Sequence, residues 1–255
     1  MIFISENQKY INRKGDHMIT FSIFGALNPI IIGQMLHRCI KSVDGIIYVK
    51  NGKTKQGKQR YKCKQCGQTF LKKYSNKACL DKLNIWIVKL IKEGNGIRSI
   101  SRLLEISSTT VLSRVVQLAK NIQKPSIVKG KMYELDELCS YIQHKENRIW
   151  IAYALRKDTR EVVDFVVGRR TNKTLKCITN TLILSEAKRI NTDKLRNYRS
   201  LIPRSIHKTK QFGTNHIERM NLTLRTHLKR LNRRTICFSK KQKYLEAHLR
   251  IYFWG

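Results

Sequence analysis

Three carboxylates could act together even though they lie far apart in the sequence. Between residues 188 and 255 there are eighteen Lys or Arg residues and only three acids, Asp193, Glu218 and Glu246. Asp193 follows a short run of strand character, Glu218 lies early in a helical run, and Asp136 interrupts an apolar strand. Carboxylates that converge from two strands and a helix can hold two divalent cations ~4 Å apart, the arrangement used for displacement at phosphorus. Mg²⁺ or Mn²⁺ is the cation expected, since both prefer oxygen ligands.

The same acids also have a structural interpretation. Acids at strand ends can cap helices or pair with nearby Arg side chains, and spacing alone leaves this alternative open. Glu134 and Glu137 flank Asp136, and we expect both to point to the opposite face of the strand, as solvated or supporting groups. Glu246 is expected to be an ordinary acid on a helix surface.

The composition indicates a polyanionic partner. The chain has 255 residues, with 52 Lys or Arg against 17 Asp or Glu and a formal net charge of +35. A compact protein with this excess repels itself unless a polyanion neutralises it. The basic residues are spread along the whole chain, which favours a phosphate backbone over a single anchoring tail. Nucleic acid and anionic lipid are the plausible polyanions, and of these double-stranded DNA is the partner predicted. A basic ribosome-associated or chromatin-like protein is the alternative on charge alone.

The cysteines and the apolar segments indicate a compartment. Seven cysteines at irregular spacing, without a clear secretion signal, do not predict a disulfide framework, so the reducing cytoplasm is expected. Residues 18–36 carry no charge and are borderline for a membrane span, but Asn28, Pro29 and Gln34 interrupt them. We expect a buried or disordered segment there, and no membrane partner.

Periodicity and turn signals divide the chain into successive structural parts. A hairpin with a turn at Asn51-Gly52 is expected near residues 48–63. Helical spacing predicts helices over residues 80–93, 97–105 and 108–120. Beyond a linker marked by Pro125 and Gly130, the pattern predicts strands over 132–142, 148–155 and 161–167, a helix over 172–189, a strand over 189–192 and a largely helical stretch over 215–248. This order is typical of an α/β domain.

The three helices before the linker are typical of a helix-turn-helix unit. Its recognition helix would span residues 108–120, with Thr109, Thr110, Ser113 and Arg114 facing the major groove of DNA. The alternative is a helical bundle that packs on the following domain. The charge of the chain favours DNA.

Four segments resemble the insertion-sequence-one family of bacterial transposases. They are Tyr133-Glu-Leu-Asp-Glu-Leu, the strand end Thr192-Asp193, Asn215-His-Ile-Glu-Arg-Met-Asn-Leu-Thr-Leu-Arg225 and Arg230-Leu-Asn-Arg-Arg-Thr-Ile-Cys-Phe-Ser239. The last run is long and specific, and the resemblance covers about residue 49 to the C-terminus. It implies an Asp-Asp-Glu transposase with a ribonuclease-H-like catalytic fold, in which Asp136, Asp193 and Glu218 are the catalytic metal ligands.

The resemblance also implies DNA contacts near the catalytic centre. Arg225 lies two helical turns after Glu218, on the same helix face, and would contact DNA near the scissile phosphate. Arg233 and Arg234, in the last matching run, are further DNA-binding residues. His216 could orient the substrate or be a structural histidine, and the sequence leaves both interpretations open.

A zinc site is expected to be incomplete. Cys63-x-x-Cys66 is half of a four-ligand zinc ribbon, which the resembling family carries, but only His37 and Cys39 stand upstream, and they form a poor pair. A frame disruption in the gene just after Cys39 would explain both the missing cysteine and the unusual composition of residues 1–38.

The fold class expected is multidomain α+β. The expected parts are an atypical segment outside the fold over residues 1–38, a zinc-ribbon-like remnant over 39–76, a helix-turn-helix domain over 77–125 and a ribonuclease-H-like catalytic domain over 126–255. The whole would be a DNA transposase, a homo-oligomer on terminal repeats and target DNA, associated with the bacterial nucleoid. The rival is a non-catalytic DNA-binding regulator that uses only the helix-turn-helix, and a membrane-anchored basic protein is a distant third.

Zinc binding by the purified chain is expected to be weak or absent at neutral pH, because only Cys63 and Cys66 form a good ligand pair. Elemental analysis of the dialysed protein measures this directly. One tightly held zinc per chain, lost on Cys63→Ser, would contradict the prediction and show that other residues complete the site.

Overall fold

The computed structural model describes residues 48–64, 67–72, 74–80, 82–209 and 213–255. Two sheets and a set of helices make up this part of the chain, a mixed α+β architecture. The expectations for residues 1–38, for Cys39 and for Cys66 lie outside the described residues.

The first sheet has three short antiparallel strands, β1 (Tyr48–Lys53), β2 (Gln59–Cys63) and β3 (Thr69–Phe70). The turn predicted at Asn51-Gly52 is wrong, because both residues lie inside β1, where the pairing register shifts and Gly52 has a φ of 66°. The chain reverses later, at Thr54, whose hydroxyl accepts a hydrogen bond from the Lys58 backbone N–H at 3.1 Å. A glycine with positive φ suits a bulge as well as a turn, so the dipeptide alone did not decide between them.

Three helices follow, close to the predicted positions: α1 (Lys82–Lys92), α2 (Ile97–Leu104) and α3 (Ser108–Asn121). Ser107 is the N-cap of α3, and its hydroxyl accepts a hydrogen bond from the Thr110 backbone N–H. Buried apolar residues from all three helices form one core, which includes Ile87, Ile100 and Val115. We call α1 to α3 the helical unit.

The second sheet has five strands in the spatial order β6-β5-β4-β7-β8. They are β4 (Met132–Ile142), β5 (His144–Arg156), β6 (Val162–Gly168), β7 (Arg189–Thr192) and β8 (His207–Lys208). The pairs β4–β5 and β5–β6 are antiparallel, whereas β4–β7 and β7–β8 are parallel. β4 is therefore the central strand, with paired neighbours on both sides.

Helices cover both faces of this sheet. They are α4 (Asn172–Leu184), α5 (Arg196–Leu201), α6 (Asn215–His227) and α7 (Gln242–Trp254). Leu175 of α4 and Tyr198 of α5 are buried with Leu135 on one side, while residues of α6 and α7 are buried with Leu138 on the other. We call β4 to β8 with these helices the sheet unit.

The last helix belongs to both units. Leu245 and Leu249 of α7 are buried in the core of the sheet unit, whereas Ala247 and Ile251 are buried in the core of the helical unit. A second close approach lies at Gly94, just after α1, where a Cβ atom would overlap the carbonyl oxygen of His227. The helical unit therefore packs on the sheet unit, the arrangement considered as the alternative to DNA reading, although packing occupies only some of its faces.

No helix in the described ranges is long and apolar enough to cross a membrane. The borderline segment at residues 18–36 lies outside those ranges.

Because α7 joins the two cores, we expect Ile251→Ala to destabilise the whole protein and not the helical unit alone. Removing this fully buried side chain should lower the free energy of unfolding by about 2–5 kcal/mol. Thermal unfolding followed by far-UV circular dichroism and by tryptophan fluorescence should show one shifted transition. Leu184→Ala, at an exposed helical leucine, is the matched control and should have little effect. Wild-type stability of the sheet unit in the Ile251 variant would contradict a shared helix.

Candidate active site

The register of two parallel strands brings two of the predicted acids together. Leu135 of β4 is paired with Thr192, the last residue of β7, so Asp136 and Asp193 follow next to each other on adjacent strands. Carboxylate oxygens of Asp136, Glu137 and Asp193 all lie within 4.8 Å of one another, and these three form the group of possible metal ligands among the described residues. We call them the carboxylate cluster.

Asp136 is held by neutral donors. The backbone N–H of Glu137 donates to its Oδ1 at 2.7 Å, and the side-chain amide of Asn221 donates to its Oδ2 at 2.7 Å. Asn221 lies on α6 and accepts a hydrogen bond at 2.8 Å from the hydroxyl of Tyr153, which is the cross-strand partner of Asp136. Asp136, Asn221 and Tyr153 thereby fix the position of α6 over the middle of the sheet.

Burial raises the pKa of Asp136 to about 6. The two hydrogen bonds oppose this rise, while repulsion from the charges of Glu137 and Asp193 adds to it. No Lys, Arg or His nitrogen in the described part of the chain lies within 4.0 Å of a carboxylate oxygen of Asp136 or Asp193. In a chain with a net charge of +35, two adjacent acids without a basic partner leave a site that a divalent cation would neutralise.

Glu137 is buried, so of the two roles expected for it, solvated or supporting, the solvated one is excluded. The hydroxyl of Tyr198 donates to its Oε1, and the guanidinium of Arg170 donates to its Oε2 at 2.9 Å. Burial raises the pKa of Glu137, and these two donors oppose the rise. Arg170 in turn lies over the ring of Trp150, 4.5 Å from its centroid. Glu137 is a supporting residue as well as a member of the carboxylate cluster.

The strand face predicted for Glu134 is wrong, because residues two apart on a strand share a face. It lies on the Asp136 face, fully buried, and accepts hydrogen bonds from the His216 ring at 2.7 Å and from the Ile217 backbone N–H at 3.0 Å. Both donors belong to the first turn of α6, so the buried carboxylate attaches that end of the helix to β4. His216 therefore has a structural partner, and its ring is oriented by Glu134.

Glu218 is not brought into the carboxylate cluster. It is exposed in the first turn of α6, and its Oε1 accepts a hydrogen bond at 2.7 Å from the hydroxyl of Thr214. Glu218 nevertheless shares a helix face with Asn221 and Arg225, which lie three and seven residues further along α6. Because Asn221 contacts Asp136, Glu218 lies one helical turn from a residue of the site.

Two of the arginines predicted to bind DNA lie near the C-terminal end of β4. Arg225 and Arg233 line a cavity together with Cys139, Ser140 and Tyr141. The Arg225 guanidinium donates to the Leu231 carbonyl at 3.1 Å, and burial, with repulsion from Arg233, lowers its pKa. Two guanidiniums that repel each other beside one cavity suit a bound phosphate.

The predicted DNA-reading residues of α3 fall into two groups. Thr109 and Ser113 are exposed, whereas Thr110 is half-buried and contacts the Ser107 cap. The guanidinium of Arg114 points inward, donating to the Asn84 side chain at 2.6 Å and to the Ala78 carbonyl. In this arrangement Arg114 holds α3 against α1, while Thr109 and Ser113 face solvent.

The sequence missed four residues of the site: Asn221, Tyr153, Tyr198 and Arg170. A signal existed for Asn221, because it lies three residues after Glu218 on a helix. The two tyrosines and Arg170 carried no such signal, since their roles depend on how distant elements pack.

Comparison with known proteins finds one matching family and several similar proteins. Residues 131–253 match the family described as IS1 transposase. The insertion element iso-IS1n protein InsB of Shigella dysenteriae is 36% identical over 118 residues, which are 46% of this chain and 88% of that protein. The insertion element IS1 protein InsB of Shigella flexneri is 37% identical over 107 residues, 42% of this chain and 82% of that protein.

Two solved structures have a partial likeness. One is the simian T-cell lymphotropic virus intasome in complex with PP2A regulatory subunit B56 gamma. The match has 18% sequence identity and a TM-score of 0.30, and it covers 55% of this chain and 59% of that chain. The other is the HTLV-2 integrase catalytic core domain in complex with magnesium, with 12% identity, coverage of 50% and 86%, and a TM-score of 0.32.

Asp136→Asn is expected to stabilise the metal-free chain at pH 7. A carboxyl with a pKa of about 6 in the folded chain, against 3.8 as its ordinary value, destabilises the folded state above pH 6. The Asn variant should therefore gain about 1–3 kcal/mol in free energy of unfolding, after allowance for solvent screening. The gain should disappear as the pH falls through the interval from 6 to 4, which denaturant titrations at several pH values would measure.

Divalent metal supplies the second arm of this test. Millimolar Mg²⁺ or Mn²⁺ should raise the stability of the wild-type chain and not that of Asp136→Asn. Asp158→Asn is the matched control, because Asp158 is exposed and paired with Lys131 and Arg156. That variant should respond to the metal as the wild type does. Equal stabilisation of the Asp136 variant by metal would contradict a cation site at the carboxylate cluster.

Proposed function

This chain belongs to the IS1 transposase family and is a DNA transposase, and we propose that it cleaves and joins DNA strands at a centre formed by Asp136, Asp193 and Glu218. The observation that carries the assignment is the convergence of Asp136 and Asp193 across the β4–β7 pairing. Glu218 is assigned on its position, on the helix face whose Asn221 contacts Asp136. The rival, a non-catalytic regulator, gives no reason for two adjacent acids without a basic partner.

The donor set of the carboxylate cluster fits a divalent cation. It offers only oxygen atoms, and within the described residues Asp136 and Asp193 have no basic partner that would compete with a metal. We assign Mg²⁺, or Mn²⁺ in its place, to Asp136 and Asp193. When bound, such cations activate a hydroxyl nucleophile and stabilise the leaving oxygen at phosphorus. Glu137 stays bonded to Tyr198 and Arg170 and keeps the Asp136 strand in place.

Glu218 would complete the site from α6. Its carboxylate is exposed, and its hydrogen bond to Thr214 lies within the first helical turn, so the side chain can exchange this partner for the cluster. Glu134 and Asn221 hold the backbone of α6 against β4. In this assignment the helix is preorganised, and one exposed side chain closes the metal site.

DNA would follow the basic surface beside this centre. Arg225, Arg233 and Arg234 are assigned to phosphates near the scissile bond, on the basis of the cavity that Arg225 and Arg233 share. In the helical unit, Thr109 and Ser113 are free to face a major groove, and Thr110 supports them. Arg114 is assigned an indirect role in DNA binding, because its guanidinium holds α3 in position.

The assignment includes a ribonuclease-H-like catalytic domain over residues 126–255, supported by a mixed five-stranded sheet with helices on both faces. It also includes assembly as a homo-oligomer on terminal repeats and target DNA, and a place beside the nucleoid in the bacterial cytoplasm. The high positive charge supports the DNA partner, because a polyanion relieves the self-repulsion of the chain.

The Asp193→Asn variant tests the catalytic assignment. The change keeps the size of the side chain and removes a charge that holds the cation, so metal-dependent cleavage of terminal DNA should fall to background. Binding to the same DNA should survive or tighten, because repulsion between the carboxylate and phosphate is relieved. Asp136→Asn and Glu218→Gln should behave in the same way. Cleavage of end-labelled duplex and a binding titration measure the two effects.

Glu246→Gln is the matched control for this experiment. Glu246 accepts only from Gln242 one helical turn earlier on α7, and its replacement should leave cleavage near the wild-type rate. Electron paramagnetic resonance of bound Mn²⁺ gives a second readout that does not depend on turnover. Wild-type cleavage or wild-type Mn²⁺ binding by the Asp193 variant would contradict the assignment of Asp193 to the catalytic metal centre.

A further inference from the structure

One apolar side chain is displayed to solvent on a loop between α6 and α7. Ile236 is 95% exposed, more than any other large hydrophobic residue in the described ranges. Leu184, at the end of α4, is next with 80%. An exposed hydrophobic residue on its own needs no explanation, so the surroundings of Ile236 decide what it can do.

The loop that carries Ile236 is attached to β4 by the residues that follow Ile236. Phe238 packs edge-on against Tyr141 of β4, with 5.3 Å between ring centroids. Ser239 forms a β-bridge with Ile142, and its carbonyl accepts a hydrogen bond from the Gln143 backbone N–H at 3.0 Å. These contacts attach the loop to the C-terminal end of β4, the strand that carries Asp136.

The loop itself is also ordered by local hydrogen bonds. The Asn232 side chain accepts from the Arg234 backbone N–H at 3.1 Å, and the Thr235 hydroxyl accepts from the Cys237 backbone N–H at 3.0 Å. Side-chain-to-backbone bonds of this kind favour a defined turn over an extended segment. Ile236 is the middle residue of the second turn, so its outward direction follows from the fold of the loop.

Positively charged residues lie around Ile236, which we call the tip of the loop. Arg233 and Arg234 precede Ile236 and are exposed, and an open cleft beside Ile236 is lined by Arg234, by Phe238 and, across from them, by Lys145 of β5. One acid, Glu146, also lines the cleft. Leu184 has a different setting, because Glu186 follows it and is paired with Lys129.

The tip lies on a continuous route from the carboxylate cluster. Ile142, where the loop is attached, is six residues beyond Asp136 on β4, a distance of about 20 Å along the strand. The cavity of Arg225 and Arg233 lies between them, beside Tyr141. A duplex that followed this route from the cluster would reach the attachment point of the loop at Ile142 after about six base steps, at a rise of roughly 3.4 Å per step.

We propose that Ile236 is an apolar wedge that enters the minor groove of bound duplex DNA and unstacks one base step, while Arg233 and Arg234 bind the adjacent backbone and groove. Exposed Ile, Leu, Met or Phe side chains flanked by arginines do this in minor-groove proteins, where the wedge opens a kink and the basic residues hold the bent duplex. Here the kink would lie several base pairs from the scissile phosphate. The inference rests on the proposed function, since it assumes that DNA lies along the Asp136 side of the sheet.

The test uses the full chain and a duplex that carries one end of its element, with 2-aminopurine placed singly at each position from three to nine pairs beyond the cleavage site. EDTA is present, so that no strand is cut. The wild type should raise 2-aminopurine fluorescence several-fold at one or two neighbouring positions, because unstacking relieves quenching. Ile236→Ala should abolish the rise while the dissociation constant changes less than about ten-fold. Ile236→Leu should retain it, since leucine also makes a wedge.

Leu184→Ala is the matched control and should leave both fluorescence and affinity unchanged, because it is an exposed leucine without flanking arginines. Loss of folding is a weak concern, since Ile236 is almost fully exposed, and circular dichroism of each variant checks it. The proposal is overturned if no position responds to the wild type, or if Ile236→Ala keeps the response. It is also overturned if Ile236→Ala instead changes the sedimentation coefficient of the free protein, which would make the residue a contact between copies. Loss of duplex binding by the wild type itself would count against the proposed function and not only against the wedge.

Discussion

The parallel pairing of β4 with β7 is the constraint on which the site depends. It places the residue after Leu135 beside the residue after Thr192, and both of those residues are aspartates. Two carboxylates held at this distance repel each other, and burial adds to the cost for Asp136. A fold keeps such a pair only where the neighbours determine its geometry, and here Tyr153 and Asn221 do so from β5 and α6.

Much of this framework could be predicted from the sequence, because strands buried on both faces and amphipathic helices leave clear patterns. β4 and β7 have the predicted bounds, and Asp158 lies in the predicted turn between β5 and β6. Asp193 could be placed at a strand end for the same reason. The convergence of Asp136 with Asp193 remained an expectation at the level of sequence, because the register of two parallel strands depends on the packing of elements that are far apart in the chain.

The rest depended on contacts that no local pattern records. The short elements α5 and β8 were missed, because six and two residues give too little periodicity to recognise. Glu134 was assigned to the wrong face by a miscounted alternation, although its burial also needs the donors of α6, which lie 82 residues away. Arg114 looked like a groove-facing residue on helical spacing, whereas its guanidinium finds Asn84 in the folded unit. The errors at Glu134 and Arg114 each concern a polar side chain whose partner is distant in sequence.

Some acids of the sheet unit have a basic partner, whereas the two aspartates of the carboxylate cluster have none in the described residues. Glu134, Glu137 and Asp164 are buried, and each has a Lys, Arg or His nitrogen within 4.0 Å. Asp136 and Asp193 have none in the described residues, although the chain carries 52 Lys or Arg. In the described residues, these two adjacent acids therefore stay unneutralised beside a strongly positive surface. In the proposed function, such a pair binds a divalent cation, the cation binds phosphate, and the surrounding arginines bind the same polyanion. The excess of positive charge and the two unneutralised acids are therefore parts of one design for handling a phosphodiester backbone.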